Sequence, residues 1–369
     1  MKKIGIISYN INCNFTNYGS ALQSWALSES IKKLGYMPIL VDYCPDILKD
    51  KDPLNPMKNM WDTDEESRKM CELSLPAIKI NYKKFEDFYT NKFKRTSRKY
   101  YSDFFCEVIK DENLDGFVCG SDTIFCVDEF GIDDGYYANY PCMRHKSISY
   151  AASFGDSHFT EETYKILNQR LGNFKALGIR ENWMIPYIKE HSSTPVQKVV
   201  DPTLLLEQQD FDSIAVPERL EKEKYLLLYA RRYNKKMFDY ADALAKKNGW
   251  KVIDISLRAT NADRHRMFYE AGVEEFLSLV KHAEYVVTNS FHGMIVGVHY
   301  RRPFVIFSRE QCDIKIDEVL DLFGLSNHKL ITGEESVNNY IDYDTVHNRI
   351  HSAATESIKY LKKHLDDYK

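Results

Sequence analysis

Residues 283–307 read AEYVVTNSFHGMIVGVHYRRPFVIF, and this stretch decides the fold class. Its β-branched and aromatic run at 285–287 is typical of a buried strand, and a second apolar run ends the stretch. Asn289, Ser290 and Gly293 supply turn and helix-capping chemistry between the two runs. The pattern predicts a strand, a tight turn, a short helix and a second strand, the repeating unit of a parallel α/β sheet.

His292 lies in the turn of this unit, shortly after the first strand. Ligands of parallel α/β sheets bind at the carboxyl ends of the strands. The free backbone N–H groups at the start of a helix also favour an anion at this position. We therefore interpret His292 as a candidate functional residue. The alternative is that its ring only hydrogen-bonds the turn.

The composition limits the class of protein. A chain of 369 residues favours two domains over one. Hydrophobic residues make up 44% and charged residues 28%, which are ordinary values for a globular protein. The net charge of −4 gives no indication of a nucleic-acid partner. The aromatic content of 13% is high, and it suits a carbohydrate-binding cleft and a packed core equally.

The eight cysteines show no metal-binding spacing and no disulfide framework. Seven of them lie at or before Cys142, and no CxxC motif or Cys/His cluster occurs. We therefore expect unpaired thiols, no metal and a reducing, cytoplasmic environment. The first apolar run ends at Ser8, which predicts a strand rather than a signal peptide. No apolar run is long enough to span a membrane.

Short apolar runs alternate with helical patterns in both halves of the chain. No GxGxxG motif follows the first strand, so nothing indicates a dinucleotide. We predict an N-terminal Rossmann-like domain at 1–206 with an insertion at about 46–110, a linker at 207–223, and a C-terminal Rossmann-like domain at 224–369 that includes a terminal helix. A basic tract at 92–99 is typical of a solvated face; the alternative is contact with an anionic membrane surface or a diphosphate-linked acceptor.

Several strands end in polar or charged residues. Gly120, Ser121 and Asp122 follow one strand, Arg180 follows another, and Arg231 ends the first strand of the second half. Ser121 lacks the GxSxG frame of a nucleophile elbow, so we interpret it as a capping residue. Two successive α/β halves with charged strand ends imply a cleft between two domains.

Seven motifs of small and polar residues are spread over nearly the whole chain. They are NYGSALQ at 17–23, LGY at 34–36, GSD at 120–122, ISYAASFG at 148–155, RE at 180–181, DPT at 201–203 and SFHG at 290–293. In this order they resemble the polysaccharide pyruvyl transferase family. The resemblance implies a GT-B-like α/β fold, in which two Rossmann-like domains face a central cleft.

The resemblance also implies a function. It implies transfer of pyruvate from phosphoenolpyruvate, a donor substrate, to two hydroxyls of a sugar, with formation of a cyclic ketal and release of phosphate and without a cofactor. The usual acceptors are sugars of capsules, exopolysaccharides or cell-wall polymers, free or polyprenyl-diphosphate-linked at the inner face of the plasma membrane. The alternatives are a GT-B glycosyltransferase of polysaccharide biosynthesis and a non-catalytic carbohydrate-binding relative.

The residue types fit this chemistry. Phosphoenolpyruvate carries a phosphate and a carboxylate, so it needs several cations and backbone donors at one cleft. His292 is the candidate acid or phosphate ligand, and Asp122 is the candidate base. The other donor-binding candidates are Arg180, Arg231, Arg309, Ser290, Asn289 and Gly293, and the acceptor-binding candidates are Asn17, Tyr18, Gly19, Ser121 and Ser153. For Arg180 the alternative is a buried pair with Glu181 or Asp201.

Two positions depart from the family pattern. Family members commonly carry Arg two residues before the histidine, where this chain has Ser290. One donor contact is therefore missing or supplied by another residue. The segment after Gly-Ser-Asp also differs from the family's aromatic pattern and reads TIFC at 123–126.

Overall fold

The computed structural model describes residues 1–54, 65–255, 261–309, 312–337 and 340–368. Within these ranges the chain forms two six-stranded parallel sheets whose strands are connected by helices. The predicted α/β class is therefore confirmed.

The first sheet is formed by the N-terminal half of the chain. Its strands are β1 (Lys3–Ile7), β2 (Met37–Leu40), β3 (Gly116–Cys119), β4 (Ser147–Ala152), β5 (Ala176–Ile179) and β6 (Val196–Lys198). They are neighbours in the order β2-β1-β3-β4-β5-β6. Ile4, Ile6 and Ile7 of β1 are fully buried, as expected for a parallel strand that is covered on both faces.

The second sheet is formed by the C-terminal half. Its strands are β7 (Tyr225–Tyr229), β8 (Lys251–Asp254), β9 (Arg266–Met267), β10 (Tyr285–Thr288), β11 (Phe304–Phe307) and β12 (Lys329–Leu330). They are neighbours in the order β12-β11-β10-β7-β8-β9. The stretch 283–307 supplies β10, a helix and β11, with Val286 paired to Phe304, so it has the predicted strand–turn–helix–strand form.

Helices of very different lengths connect the strands. They are α1 (Tyr18–Lys33), α2 (Glu65–Lys92), α3 (Glu107–Glu112), α4 (Val127–Phe130), α5 (Glu161–Leu171), α6 (Ile185–His191), α7 (Gln208–Asp212), α8 (Lys235–Asn248), α9 (Val273–Lys281), α10 (Phe291–His299), α11 (Asp313–Phe323) and α12 (Tyr343–Asp366). Among the described residues, no helix is both long enough and apolar enough to cross a membrane.

Helices α1 and α10 begin next to each other at the domain boundary. Asn17 caps α1 by accepting a hydrogen bond from the Gly19 backbone N–H at 3.0 Å, and Ser290 caps α10 by accepting one from Gly293 at 3.2 Å. The imidazole of His292 lies directly against Gly19, where an added Cβ would come within 2.1 Å of Nδ1. Glycine at this position therefore allows the two helix starts to meet.

The predicted insertion at 46–110 contributes to the contact between the domains. Its residues 55–64 lie outside the described part of the chain. Helix α2, which follows them, packs against α1 and α9. The Asn81 side chain of α2 donates a hydrogen bond to the Ala271 carbonyl at 2.5 Å. The insertion thus joins the first domain to the second.

The basic tract at 92–99 is partly neutralised within the chain. Arg95 pairs with Asp42 at 3.1 Å, and Arg98 pairs with Asp111 at 2.7 Å. Partly exposed pairs of this kind are what we expect of a solvated face.

Cys106 and Cys142 form a disulfide, with their Cα atoms 5.5 Å apart. The expectation of unpaired thiols is therefore wrong for these two cysteines. They are separated by 36 residues in the sequence, and no spacing pattern links them. The connections around β3 bring them together, which only the tertiary fold reveals.

Helix α12, which the sequence analysis assigns to the C-terminal domain, contacts both domains. His347 near its start lies 3.1 Å from the Val298 carbonyl of the second domain. Near its end the Tyr360 hydroxyl donates to the Ser149 carbonyl of the first sheet at 2.9 Å. The chain thus returns to its N-terminal half, and the domain boundaries at 206 and 223 stay predictions.

Candidate active site

The strand orders place two loops of each domain at one cleft. The first sheet reverses its direction of winding between β1 and β3, and the second reverses between β7 and β10. Connections diverge on the two sides of such a switch point and leave a crevice beyond the carboxyl ends of the strands. Residues that follow β1, β3, β7 and β10 line one cavity of about 250 Å³.

The charged side chains of this cavity are divided between the two domains. The N-terminal domain contributes carboxylates, namely Asp122, Asp128, Glu129 and Asp156. The C-terminal domain contributes cations, namely Arg231, Arg232, Arg309 and Lys315. One wall is therefore anionic and the other is cationic, and an anion bound here would lie against the second domain.

Six of the residues predicted from the sequence lie on the cavity wall. They are Asn17, Asp122, Arg231, Ser290, His292 and Arg309. Asp122 and His292 thus face one cavity from opposite domains, as their strand-end positions predict. The remaining candidates are not lining residues; they are Arg180, Asn289, Gly293, Tyr18, Gly19, Ser121 and Ser153.

His292 is held by a carboxylate of the other domain. Its Nε2 lies 3.3 Å from Oδ2 of Asp201, and its side chain is 10% exposed. Because an ionised carboxylate can only accept hydrogen bonds, Nε2 carries the proton in this contact. Asp201 therefore keeps a proton on Nε2 and orients the ring, which leaves Nδ1 as the nitrogen that can exchange a proton.

Asp201 is the most heavily bonded carboxylate next to the site. Its Oδ1 accepts hydrogen bonds from the backbone N–H of Thr203 at 2.9 Å and from the Thr203 hydroxyl at 2.6 Å. Its Oδ2 is shared by Arg180 at 2.9 Å and His292 at 3.3 Å. Burial alone would raise the pKa of Asp201, but the charges of Arg180 and His292 hold that pKa well below its ordinary value.

Arg180 lies behind the cavity wall rather than on it, and its role in donor binding stays a prediction. Its side chain is 3% exposed and is bound to Asp201. Its guanidinium also donates to the Ala151 carbonyl at 3.2 Å and to the Ser121 hydroxyl. The buried pair given as the alternative is present, with Asp201 rather than Glu181 as the ion-pair partner.

Asn289 and Gly293 act behind the cavity wall. The Asn289 side chain accepts a hydrogen bond from the backbone N–H of Arg231 at 2.7 Å and donates to the Arg232 carbonyl at 2.9 Å. Gly293 donates its N–H to the Ser290 hydroxyl, which completes the helix cap. Asn289 thus positions the loop of two arginines, and neither residue lines the cavity itself.

Four of the five predicted acceptor residues also lie behind the wall. Tyr18 stacks on Phe276 of the second domain at 4.5 Å, and Gly19 makes room for His292. Ser121 and Ser153 are fully buried and bind neighbouring polar groups. Of the five, only Asn17 lines the cavity.

The predicted cations Arg231 and Arg309 are present at the cavity. The Arg231 guanidinium lies over the Phe15 ring, 4.6 Å from its centroid, which holds it in place. Arg309 donates its backbone N–H to Asp313 at 3.1 Å, and its guanidinium contacts the Cys312 sulfur. Both guanidinium groups therefore belong to the cationic wall, which the C-terminal domain contributes.

Two further cations were missed by the sequence analysis as binding residues. Arg232 adjoins Arg231, and burial together with the charges of Arg309 and Arg231 lowers its pKa. Lys315 is only 6% exposed, and no ion pair or hydrogen bond of its ammonium occurs among the described residues. The adjacent arginines at the end of a strand could have indicated Arg232 as a binding residue. Lys315 lies in α11, outside every motif, and had no such signal.

The anionic wall is built around Asp122 and Glu129. Asp122 has a φ of 71°, uncommon for a residue with a side chain, and accepts hydrogen bonds from the Ser20 hydroxyl and from the Thr123 backbone N–H. The Thr123 hydroxyl donates to Glu129 at 2.7 Å. Burial, reinforced by the neighbouring charge of Asp122, raises the pKa of Glu129. Glu129, which the sequence analysis missed, therefore keeps its proton more readily than an ordinary glutamate does.

Comparison with known proteins identifies the family. The model of the polysaccharide pyruvyl transferase family matches residues 17–311, and the chain belongs to this family. No curated protein matches the chain significantly.

Solved structures of low sequence identity share the fold. The complex of S. aureus MnaA with UDP has a TM-score of 0.55 at 13% identity, covering 99% of this chain and 97% of that one. A putative UDP-N-acetylglucosamine 2-epimerase from Listeria monocytogenes has a TM-score of 0.52 at 11% identity, covering 98% of this chain and 91% of that one. The GT-B-like arrangement of two Rossmann-like domains is thereby confirmed.

The buried pair predicts that Arg180→Ala destabilises the fold. Removing the guanidinium leaves the buried Asp201 carboxylate without the positive charge of its ion-pair partner. This loss lowers the unfolding free energy by about 3–5 kcal/mol. Denaturant titration measures the loss. Arg231→Ala is the matched control, because that guanidinium lies at the cavity, and we expect it to change stability by less than about 0.5 kcal/mol. Equal unfolding free energies for the two variants would contradict the assignment.

Proposed function

We propose that this chain transfers pyruvate from phosphoenolpyruvate to two hydroxyls of a sugar, forming a cyclic ketal and releasing phosphate. The acceptor is a sugar of a surface polysaccharide or of a lipid-linked precursor. The single observation that carries the proposal is the division of charge across the cavity. It provides a cationic wall for a small polyanion and an anionic wall for hydroxyl groups.

The cationic wall suits the donor. Phosphoenolpyruvate carries its negative charge on two groups, a phosphate and a carboxylate, and charge-assisted hydrogen bonds to arginine bind both kinds of group well. Arg231, Arg232, Arg309 and Lys315 lie on one wall of a cavity of about 250 Å³, a volume suited to a small molecule. A compact ligand of high charge is therefore the best match.

Ser290 does not weaken this assignment. The side chain that replaces the family's common Arg serves as the N-cap of α10 and accepts a hydrogen bond from Gly293. Lys315 and Arg309 approach the cavity from the neighbouring segment of the same domain. We infer that these two residues supply the cationic contact that the serine does not.

The anionic wall suits the acceptor. Sugar hydroxyls donate hydrogen bonds to carboxylates, and a carboxylate that keeps its charge can take a proton from an attacking hydroxyl. Asp122 is oriented by hydrogen bonds from Ser20 and Thr123. Glu129 lies beside it with a raised pKa. We assign Asp122 as the base and Glu129 as a group that holds a proton.

The reaction balances with these groups. His292 keeps its Nε2–H on Asp201 and gives a proton from Nδ1 to the methylene carbon of phosphoenolpyruvate. The first sugar hydroxyl adds to C2 as Asp122 takes its proton. The bond between C2 and the phosphate oxygen then breaks, phosphate keeps the electron pair, and the second hydroxyl closes the ketal. One of the two hydroxyl protons restores the proton that His292 gave to the methylene carbon. The other leaves on phosphate: Glu129 gives its proton to the departing phosphate, and the resulting carboxylate takes the proton of the second hydroxyl.

The direct test is phosphate release from phosphoenolpyruvate in the presence of methyl glycosides of common sugars, with mass spectrometry of the glycoside. We expect phosphate release to require the glycoside and to yield a pyruvylated product. Sugar transfer from a UDP-sugar to the same glycosides, without consumption of phosphoenolpyruvate, would instead identify a glycosyltransferase. Tight glycoside binding with neither reaction would indicate a non-catalytic binding protein.

We predict that His292→Asn lowers turnover by about 10²–10⁴-fold, because asparagine keeps a polar amide at this position but cannot deliver a proton. The measurement is turnover of phosphoenolpyruvate at matched thermal stability. His299→Asn is the control: it removes a second buried histidine of α10, one whose Nε2 lies 2.8 Å from the Thr203 carbonyl and outside the cavity. Near-normal turnover of His292→Asn would reduce His292 to a structural residue.

Glu129 predicts a pH dependence. Burial and the charge of Asp122 raise its pKa, so the protonated form is available at low pH and is lost as the pH rises through that pKa. Wild-type turnover should therefore fall on the alkaline side of this pKa. Glu129→Gln should have a lower maximum and should lack that decline. An unchanged pH profile in the variant would exclude Glu129 as the proton donor.

A further inference from the structure

A cysteine lies among the cations of the cavity. Cys312 lines the cavity, is 6% exposed and is the N-cap residue of the eleven-residue helix α11. The guanidinium of Arg309 contacts its sulfur. A thiol at a helix N-terminus and beside cations is in the setting that stabilises a thiolate.

Lys315 supplies a second, independent indication of a ligand at this place. Its side chain is more than nine-tenths buried, lines the same cavity and has no ion pair or hydrogen bond among the described residues. Its ammonium lies over the Phe291 ring, 5.8 Å from the ring centroid, and is not itself fully buried, so it can pair with an anion in the cavity. The cavity therefore attracts small anions to the neighbourhood of Cys312.

The second cysteine of the cavity provides a contrast. Cys126 lies on the anionic wall, near Glu129. Burial raises the pKa of the Cys126 thiol. Burial also opposes ionisation of Cys312, but the charges of Lys315 and Arg309 lower its pKa overall. Two thiols that share one cavity thus differ in the charge of the groups that surround them.

We propose that Cys312 is a reactive thiolate, alkylated within the cavity by small anionic electrophiles such as halogenated carboxylates. With iodoacetate, the thiolate sulfur attacks the methylene carbon, a sulfur–carbon bond forms, and iodide leaves with the electron pair. The new carboxylate stays beside Arg309 and Lys315. The inference deepens the proposed function, because the thiolate lies in the proposed donor site, but alkylation itself needs neither phosphoenolpyruvate nor a sugar.

The test compares iodoacetate with neutral iodoacetamide on the native full chain at pH 7, with the modified cysteines located by peptide mass spectrometry. We expect iodoacetate to modify Cys312 selectively and to leave Cys126 unmodified. For each thiol we take the ratio of its labelling rate with iodoacetate to its labelling rate with iodoacetamide. Because the cationic wall concentrates the anion, this ratio should be about tenfold or more higher for Cys312 than for free glutathione. High salt should reduce this ratio.

Lys315→Gln is the matched variant, because it removes the charge and keeps most of the side-chain length. We expect it to lower the ratio of the iodoacetate rate to the iodoacetamide rate at Cys312 by about tenfold. Arg309→Gln serves as the second variant if Lys315→Gln does not fold. Cys312→Ser should abolish the label. Equal labelling of Cys126 and Cys312, or no preference of Cys312 for the anionic reagent, would overturn the inference.

Protection experiments separate this inference from the proposed function. Phosphoenolpyruvate and inorganic phosphate are each added before iodoacetate. Slower labelling of Cys312 with phosphoenolpyruvate supports both proposals. Selective labelling that phosphoenolpyruvate does not slow supports the thiolate and contradicts the donor assignment. Absent labelling in a chain that turns over phosphoenolpyruvate contradicts the thiolate alone.

Discussion

The organisation of the cleft depends on one buried carboxylate, Asp201. A fully buried charge is tolerated only when it is paired and hydrogen-bonded, and Asp201 meets this condition with Arg180 of its own domain, His292 of the other and two bonds from Thr203. The interaction therefore connects the two domains at the point where their cavity-lining loops meet. It also separates the roles of the arginines, since Arg180 neutralises Asp201 and does not line the cavity.

The topology of the two sheets accounts for the rest of the site. Within the described ranges each sheet has one switch point, and residues beyond the strand ends at both switch points line the same cavity. The loops of the first domain bring carboxylates, and those of the second, together with the start of α11, bring cations. Opposite charge on facing walls allows a small polyanion and a polyhydroxyl compound to lie side by side, which the proposed group transfer requires. The same cations place Cys312 in an environment unlike that of Cys126.

Much of this architecture could be predicted from the sequence because its signals are local. Buried apolar runs, followed by Asn, Ser and Gly, identified β10 and the start of α10, and strand-end positions located Asp122, Arg231 and His292. Tertiary features could not be predicted this way. Whether Arg180 points into the cavity or beneath it depends on Asp201, which is distant in the sequence. Lys315 and Glu129 lie in helices outside every motif, and the disulfide of Cys106 with Cys142 depends on how the first sheet is connected.

The proposed function requires the cationic wall of the second domain to bind phosphoenolpyruvate opposite the carboxylates of the first. A crystal structure with phosphoenolpyruvate bound tests this most directly. We expect the phosphate and carboxylate of the ligand to lie against Arg231, Arg309 and Lys315, with its methylene carbon toward His292 and with Asp122 on the opposite side. Phosphoenolpyruvate bound away from these cations, or a UDP-sugar occupying their place while phosphoenolpyruvate fails to bind, would contradict it.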